Sequence, residues 1–591
     1  MTHRYLVRVL PERHELEVTL NLDGATAGPL RLMTPTWVPG AYGFMKYGRD
    51  LFEVKAFDSK SRDELPIVRD GWSAFVVEAK GAIEVRFKVG ASDPAWGELV
   101  GLIGSDRALL LGTHLLFAPS LPGPCRVEYQ LPAGWPMHHP ASAKRLSERT
   151  FEYPSHAALL DTPIALGEYE LRTREIGGVP FHFLFFEKAL GFDQRIEAFL
   201  DALTRIAERC RDVFGSFPFR DYTFFFTFDP QAKWGLEHAD GTTIALDDDT
   251  FVDDDSWARG LRVSAHELFH AWNVCRLKPS PLGKPDFERG SFPDALWVSE
   301  GVTRYYEFLL LVRAGVVSPQ AFLSNVVNYW RQLSSHPAAS RVSLADSSRA
   351  TFLNHNRYPG SVNATIDYYD AGMLVAFDLD VALRTSSHSQ GGRSEPLDAA
   401  FGEFYREFVG KGDGFTHAQA AAFFDARVPG LGARLDDKVL RPGTLSIVEA
   451  LEKLGFKTVT GKNKVVGLVM AEKVPAEIAN VLDDSPAGQA GLAPTDLVER
   501  VNGFAFKPKA LAWAIANEPK VELQVKRGSR LVSFVLVPEP REQVVELRWE
   551  GTEAQAEAVR AWLGSTEFKP SPGERISLAA FENFHGIQKV V

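Results

Sequence analysis

Cysteine is scarce: Cys125, Cys210 and Cys275 are the only three in 591 residues. An odd number of scattered thiols makes no disulfide framework, so the chain is expected to fold without one in a reducing compartment, the cytoplasm. Long apolar runs are missing too. The most apolar stretch, Phe308 to Val317, is broken by Arg313 and falls far short of the ~20 residues that span a bilayer, so no membrane partner is expected. The opening Met1-Thr-His-Arg-Tyr-Leu-Val-Arg-Val-Leu-Pro carries charge where a signal peptide needs an unbroken apolar core, and no export signal is read there. Nor is there a concentration of basic residues. With 65 Lys and Arg against 76 Asp and Glu, the net charge of -11 excludes a nucleic-acid partner held by phosphate contacts. Internal repeats and low-complexity tracts are absent.

What is present is ordinary globular composition, 45% hydrophobic and 24% charged, in a chain too long for one core. Two to four domains are expected. From Tyr5 to about Leu171 the apolar residues alternate, as in Glu15-Leu-Glu-Val-Thr-Leu-Asn-Leu and Ile83-Glu-Val-Arg-Phe-Lys-Val. This period of two predicts an antiparallel β domain, a sandwich. From about Arg195 the spacing becomes helical, with Ile196, Phe199, Leu200, Leu203 and Ile206 on one face. A strand-like run, Tyr222-Thr-Phe-Phe-Phe-Thr-Phe, gives this mostly helical region some sheet. After Arg441-Pro-Gly a short helix, Ser446 to Leu454, leads into a second β-rich region ending near Pro540. A helix-forming stretch with a glycine stop, Glu553 to Gly564, follows.

The strongest chemical signal is His266-Glu267-Leu268-Phe269-His270. Residues four apart share one helix face, so both imidazoles reach one metal while Glu267 projects beside them. Leu261, Ala265, Leu268 and Trp272 form an apolar stripe on the other side, and Asp255 suits the helix N-cap. A catalytic zinc needs a third protein ligand and an open position. Glu300, in Trp297-Val-Ser-Glu-Gly-Val-Thr-Arg-Tyr-Tyr, supplies the ligand from the start of an apolar helix that runs to about Ala314 and stops at Gly315. Zinc lowers the pKa of bound water to about 7, and Glu267 accepts its proton as general base. An oxyanion donor is also required. Tyr368 and Tyr369, in Asp367-Tyr-Tyr-Asp-Ala-Gly372, are the candidates.

The stretches 266 to 279 and 296 to 306, with Pro35-Thr-Trp-Val-Pro-Gly-Ala-Tyr42, resemble the M61 glycyl aminopeptidase family. The resemblance implies a multidomain α+β protein with an N-terminal antiparallel β-sandwich over 1-172. A thermolysin-like, mostly α-helical zinc peptidase domain over 173-443, a PDZ-like β domain over 444-541 and a helical tail over 542-591 follow. It implies one zinc per chain and removal of small N-terminal residues, glycine or alanine, from peptides with a free N-terminus. Gly235-Leu236-Glu237-His238 is similar to the exopeptidase element of zinc aminopeptidases, in which the glutamate grips the substrate's α-amine. Tyr369-Asp-Ala-Gly is similar to a Tyr-x-Lys-Gly element, which favours Tyr369 as oxyanion donor and leaves Ala371 where lysine is usual.

Asp484 to Gly503 looks like the core of a bacterial-type PDZ domain, which implies a peptide C-terminus as a second partner, with Leu454-Gly455-Phe456 as its carboxylate loop. Asp247 to Asp249 and Asp253 to Asp255 lack the spaced loop of a calcium site and read as solvated caps. The apolar ending, Phe581 to Val591, suggests docking onto the body or a neighbouring subunit, and the oligomeric state stays open. Two other functions remain: a zinc endopeptidase, should Glu237 lie away from the metal, and a PDZ peptide-binding scaffold with an inactive peptidase domain.

Overall fold

The computed structural model describes residues 2–92, 101–187, 191–228, 235–354, 358–386, 396–443, 445–471, 473–578 and 590–591. The chain is a multidomain α+β protein that divides into two compact units, Met1–Ser291 and Phe292–Val591.

The first unit begins with an eight-stranded sheet. In its strand His3–Leu10 the residues Tyr5, Val7 and Val9 point inward while Arg4 and Arg8 face out, as the period of two requires. A three-stranded sheet of Ala27–Met33, Ala74–Lys80 and Ile67–Asp70 shares the same core, with Leu32 and Val77 packed among Leu16, Val18, Val85 and Phe87. The expectation of purely antiparallel pairing needs correction. His3–Leu10 runs parallel to Cys125–Gln130, with Tyr5 opposite Val127. Most of the domain separates these two strands, enough chain for the second to enter the sheet from the same end as the first.

Behind this core stands a second sheet whose five strands are ordered Glu170–Ile176, Val179–Phe185, Tyr222–Phe228, Gly241–Leu246 and Gly235–His238. The three inner strands are parallel and the two edges antiparallel. Parallel strands are covered on both faces. That is why Phe224, Phe225 and Phe226 are all buried and the run shows no alternation. The crossover helix Asp193–Phe214 buries Ile196, Phe199, Leu200, Leu203 and Ile206 against it.

The second unit is helical up to residue 443 among the described residues. Its β region has a four-stranded sheet, Phe504–Ala505, Leu497–Val501, Val521–Arg527 and Arg530–Leu536, and a separate pair, Leu468–Met470 with Ile478–Val481. Strand Glu539–Trp549 pairs with Phe456–Val465 and runs through position 541/542. The tail helix Glu553–Leu563 opens with a Thr552–Gln555 capping box and stops at Gly564. It docks through Trp562, whose buried indole N–H donates to the Asp380 carboxylate and to the Tyr305 hydroxyl, each at 3.0 Å. Arg384 and the Leu397 amide donate to the same carboxylate, at 2.7 and 2.9 Å. The ending Phe581 to Lys589 lies outside the described residues. No helix among the described residues is long and apolar enough to cross a membrane.

Trp562→Ala removes a fully buried indole and one partner of a buried carboxylate, and is expected to cost about 3–5 kcal/mol. Chemical denaturation followed by fluorescence and circular dichroism measures this; a loss below about 1 kcal/mol would mean that the tail helix contributes little to the unit.

Candidate functional site

The helix Asp254–His270 carries the paired histidines. Its N-cap is Asp253, not Asp255: the Asp253 carboxylate accepts the Ser256 amide at 2.8 Å. Asp254 and Asp255 fall instead in the first turn, where negative charge suits the helix dipole. Leu261, Ala265, Leu268 and Phe269 are buried on one side. His266, Glu267 and His270 are buried on the other, with His270 closing the last turn. The Asn273 carbonyl lies 2.7 Å from His270 Nδ1, and because a carbonyl only accepts, Nδ1 carries the proton. Nε2 therefore keeps its lone pair. It lies 2.9 Å from His266 Nε2. Two nitrogens bound to one tetrahedral zinc stand about 3.3 Å apart, so the pair is close to ligand geometry.

Strand Gly235–His238 forms the edge of the five-stranded sheet. Alternation turns Gly235 and Glu237 to one face and His238 to the other. His238 Nδ1 donates to Asp161 at 3.2 Å, and Asp161 also accepts the Ala239 amide at 3.0 Å, so His238 anchors the strand. On the opposite face the strand comes so close to the helix Asp254–His270 that a Cβ at Gly235 would lie 2.5 Å from Glu267 Cγ. Arg276 ties the two elements together, donating to the Ala271 carbonyl at 2.8 Å, the Ala239 carbonyl at 2.6 Å and Asp240 at 2.7 Å. A carboxylate oxygen of Glu237, one of Glu267 and a nitrogen of His270 all lie within 4.8 Å of one another. Two buried carboxylates this close repel unless a cation offsets them. The donor set, neutral imidazoles with acidic neighbours, fits a divalent transition metal.

Sequence reasoning missed the role of Gly40, having read its Pro-Gly stretch only as part of a family resemblance. Gly40 has φ +92°, and a Cβ there would stand 2.6 and 2.7 Å from the two Glu237 carboxylate oxygens. Val38, Ala41 and Tyr47 pack on Leu236 beside it. The loop is held on its other side: the Trp37 indole donates to the Asp286 carbonyl at 2.5 Å and the Thr36 hydroxyl to the Glu288 carbonyl at 2.7 Å. Only the juxtaposition with Glu237, which pairing at long range creates, reveals the glycine.

In the second unit Glu300 is 1% exposed. The continuous helix expected around it is a wider π-helical turn, Trp297–Val302, followed by the α-helix Thr303–Arg313. Gly301 meets Gly372 of helix Tyr368–Thr385 backbone to backbone: a Cβ on Gly301 would lie 2.3 Å from Gly372 Cα. Asp367 caps that helix, accepting the Tyr369 amide at 2.8 Å. The Tyr368 hydroxyl is bonded to Thr351 at 2.7 Å and also to Tyr369, and both tyrosines line a cavity of about 290 Å³ with Arg304, His336, Ser361 and Asp370. Arg304 lies over the Tyr369 ring at 5.2 Å, and nearby Glu307 and Asp370 keep it charged despite its burial. Four residues beyond Glu300, it shares that helical face and was also missed. Ala371 is fully buried. Cys275, just beyond the helix Asp254–His270, is neutral, since burial pushes its thiol well above the ordinary range.

Two family models match the sequence: M61 glycyl aminopeptidase over residues 259–375, and the M61 peptidase N-terminal domain over 4–168. No curated protein matches. Among solved structures, an aminopeptidase N family protein from Idiomarina loihiensis has the same fold, with a TM-score of 0.81 at 20% identity over 95% of this chain and 100% of that one. An M1 zinc metallopeptidase from Deinococcus radiodurans gives a TM-score of 0.42 at 16% identity, over 76% of this chain and 94% of that one. Yeast LTA4 hydrolase gives 0.45 at 14% identity, over 75% and 68%.

Gly40→Ala is expected to destabilise the chain beyond the roughly 1–2 kcal/mol of a left-handed alanine, because its Cβ has no room beside Glu237. Gly134→Ala, at φ +79° with nothing within 4 Å, isolates the backbone part. Equal losses for the two variants in denaturant titrations would show that the Glu237 contact is loose.

Proposed function

We propose that this chain, which belongs to the M61 glycyl aminopeptidase family, is a zinc-dependent aminopeptidase. It removes the first residue from peptides with a free N-terminus and prefers glycine or alanine there. The observation that carries this reading is the convergence of Glu237 and Glu267 on the His270 imidazole.

His266 and His270 would hold the zinc, and we assign the third ligand to Glu300 from its motif and its burial. One zinc per chain, when bound, supplies a Lewis acid that polarises the scissile carbonyl and makes water acidic enough to give up a proton near pH 7. Glu267 takes that proton and hands it to the leaving amine. Glu237 receives the substrate's ammonium group, a charge-assisted contact that fixes one end of the peptide. Because Glu237 stands beside Glu267 and His270, only the first peptide bond reaches the reacting position. Gly40 closes over the Glu237 carboxylate, so an amine carrying an acyl group finds neither the charge nor the space it needs. We assign the oxyanion donor to Tyr369 from its motif: its hydroxyl donates to the developing oxyanion. Gly235 leaves room for Glu267, and His238 holds the strand through Asp161. Three free cysteines suit a reducing cytoplasm.

Gly-Ala and Ala-Ala should be hydrolysed to free amino acids, and their N-acetylated forms should resist by about 100-fold or more. Cleavage of the acetylated peptides at comparable rates would favour an endopeptidase, and inertness toward both would favour a binding scaffold. Glu267→Gln should lower kcat by about 10²–10⁴-fold while the purified variant keeps about one zinc per chain. Full activity in Glu267→Gln removes that residue from the base role, and a wild-type chain that cannot be loaded with zinc removes the metal.

A further inference from the structure

Another cavity of the Phe292–Val591 unit is lined by none of the residues assigned to catalysis. It measures about 240 Å³, and its walls come from the last turns of helix Pro319–Ser335 and from the paired strands Glu539–Trp549 and Phe456–Val465. On the helix, Trp330, Arg331, Ser334 and Ser335 fall at spacings that share one face. Arg541, Gln543 and Thr460 line it from the strands. Among the described residues that line it, the only carboxylate, that of Glu542, is exposed.

The two guanidinium groups stand there for different reasons. Arg331 is explained by its own helix: Nη1 donates to the Asn328 side-chain oxygen at 3.0 Å, and positive charge suits the negative end of a helix. Asn328 is itself fixed, since its side-chain nitrogen donates to the Leu578 carbonyl at 2.6 Å. Nothing comparable surrounds Arg541. Its side chain is half-buried, and among the described residues its guanidinium makes no ion pair, hydrogen bond or cation–π contact. Loss of water lowers the basicity of that guanidinium, and no carboxylate offsets the loss. Arg548, further along the same strand, shows what the position lacks: it donates to Glu546 from Nε at 2.8 Å and from Nη2 at 2.6 Å. A charge withdrawn from water without a partner destabilises a fold, and sharing a cavity with a second guanidinium adds like-charge repulsion. A dianion removes both costs.

Charge and size narrow the occupant. A carboxylate matches one guanidinium, whereas a phosphate monoester carries about −1.5 to −2 charge at pH 7 and matches two. The volume falls below the roughly 300–1,000 Å³ of drug-sized sites, so the ligand is small. The Trp330 indole offers a flat apolar wall for whatever body the phosphate carries.

We propose that this cavity binds a small organic phosphate, its anionic head on Arg541 and Arg331 and its body against Trp330. Calorimetric titration of the full chain with phenyl phosphate tests this. Saturable binding is expected, weakened about 10–100-fold in Arg541→Gln, the range for a hydrogen bond to a charged group, and by roughly ten-fold when benzoate replaces phenyl phosphate. Without ligand, Arg541→Gln should melt no lower than the original chain, because the side chain it replaces holds nothing in place. If phenyl phosphate fails to bind, or binds Arg541→Gln as tightly as the original chain, the site is wrong. The second result would place the ligand at another centre, such as a bound metal. If benzoate binds as tightly as phenyl phosphate, selection of a dianion is wrong. A lower melting temperature for the unliganded variant would make Arg541 a structural residue and overturn the proposal.

Discussion

The first unit depends on the need to offset two negative charges placed where water is scarce. Glu237 and Glu267 come from an edge strand and a helix that meet beside His270, with oxygens within 4.8 Å. At an effective dielectric constant near 20, like charges at that separation repel by roughly 3 kcal/mol. A fold that keeps them together suits positive charge placed between them. The surrounding hydrogen bonds serve that placement: Asn273 sets the His270 tautomer, Asp161 holds the strand through His238, and Arg276 ties strand to helix.

Density at these charges is achieved by leaving side chains out. Gly235 lets the strand backbone come against Glu267, and Gly40 brings a loop backbone onto the Glu237 carboxylate. In the second unit Gly301 and Gly372 meet without side chains, joining the Glu300 turn to the helix that begins with Tyr368 and Tyr369. At Gly301 and Gly372 the atoms 2.3–2.8 Å from a would-be Cβ are backbone, so any other residue requires the backbone to move, whereas at Gly40 and Gly235 it is the Glu237 and Glu267 side chains that would have to give way.

This explains which parts were legible in the sequence. His266, Glu267 and His270 stand at helical spacing on one element, so their convergence follows from local geometry. The helix stripes and the alternating strands of the N-terminal domain are local in the same sense. What depended on distant partners was not readable. The parallel partner of His3–Leu10 lies most of a domain away, the π-helical turn at Glu300 faces Gly372, and Gly40 meets Glu237 only through the tertiary fold. The choice between Asp253 and Asp255 as N-cap turned on a single amide in an all-acidic run, which composition cannot resolve. Leu454-Gly455-Phe456, read as a carboxylate loop, instead packs Gly455 against Gly551 and the Trp549 ring and starts a strand at Phe456, contacts made with residues far along the chain.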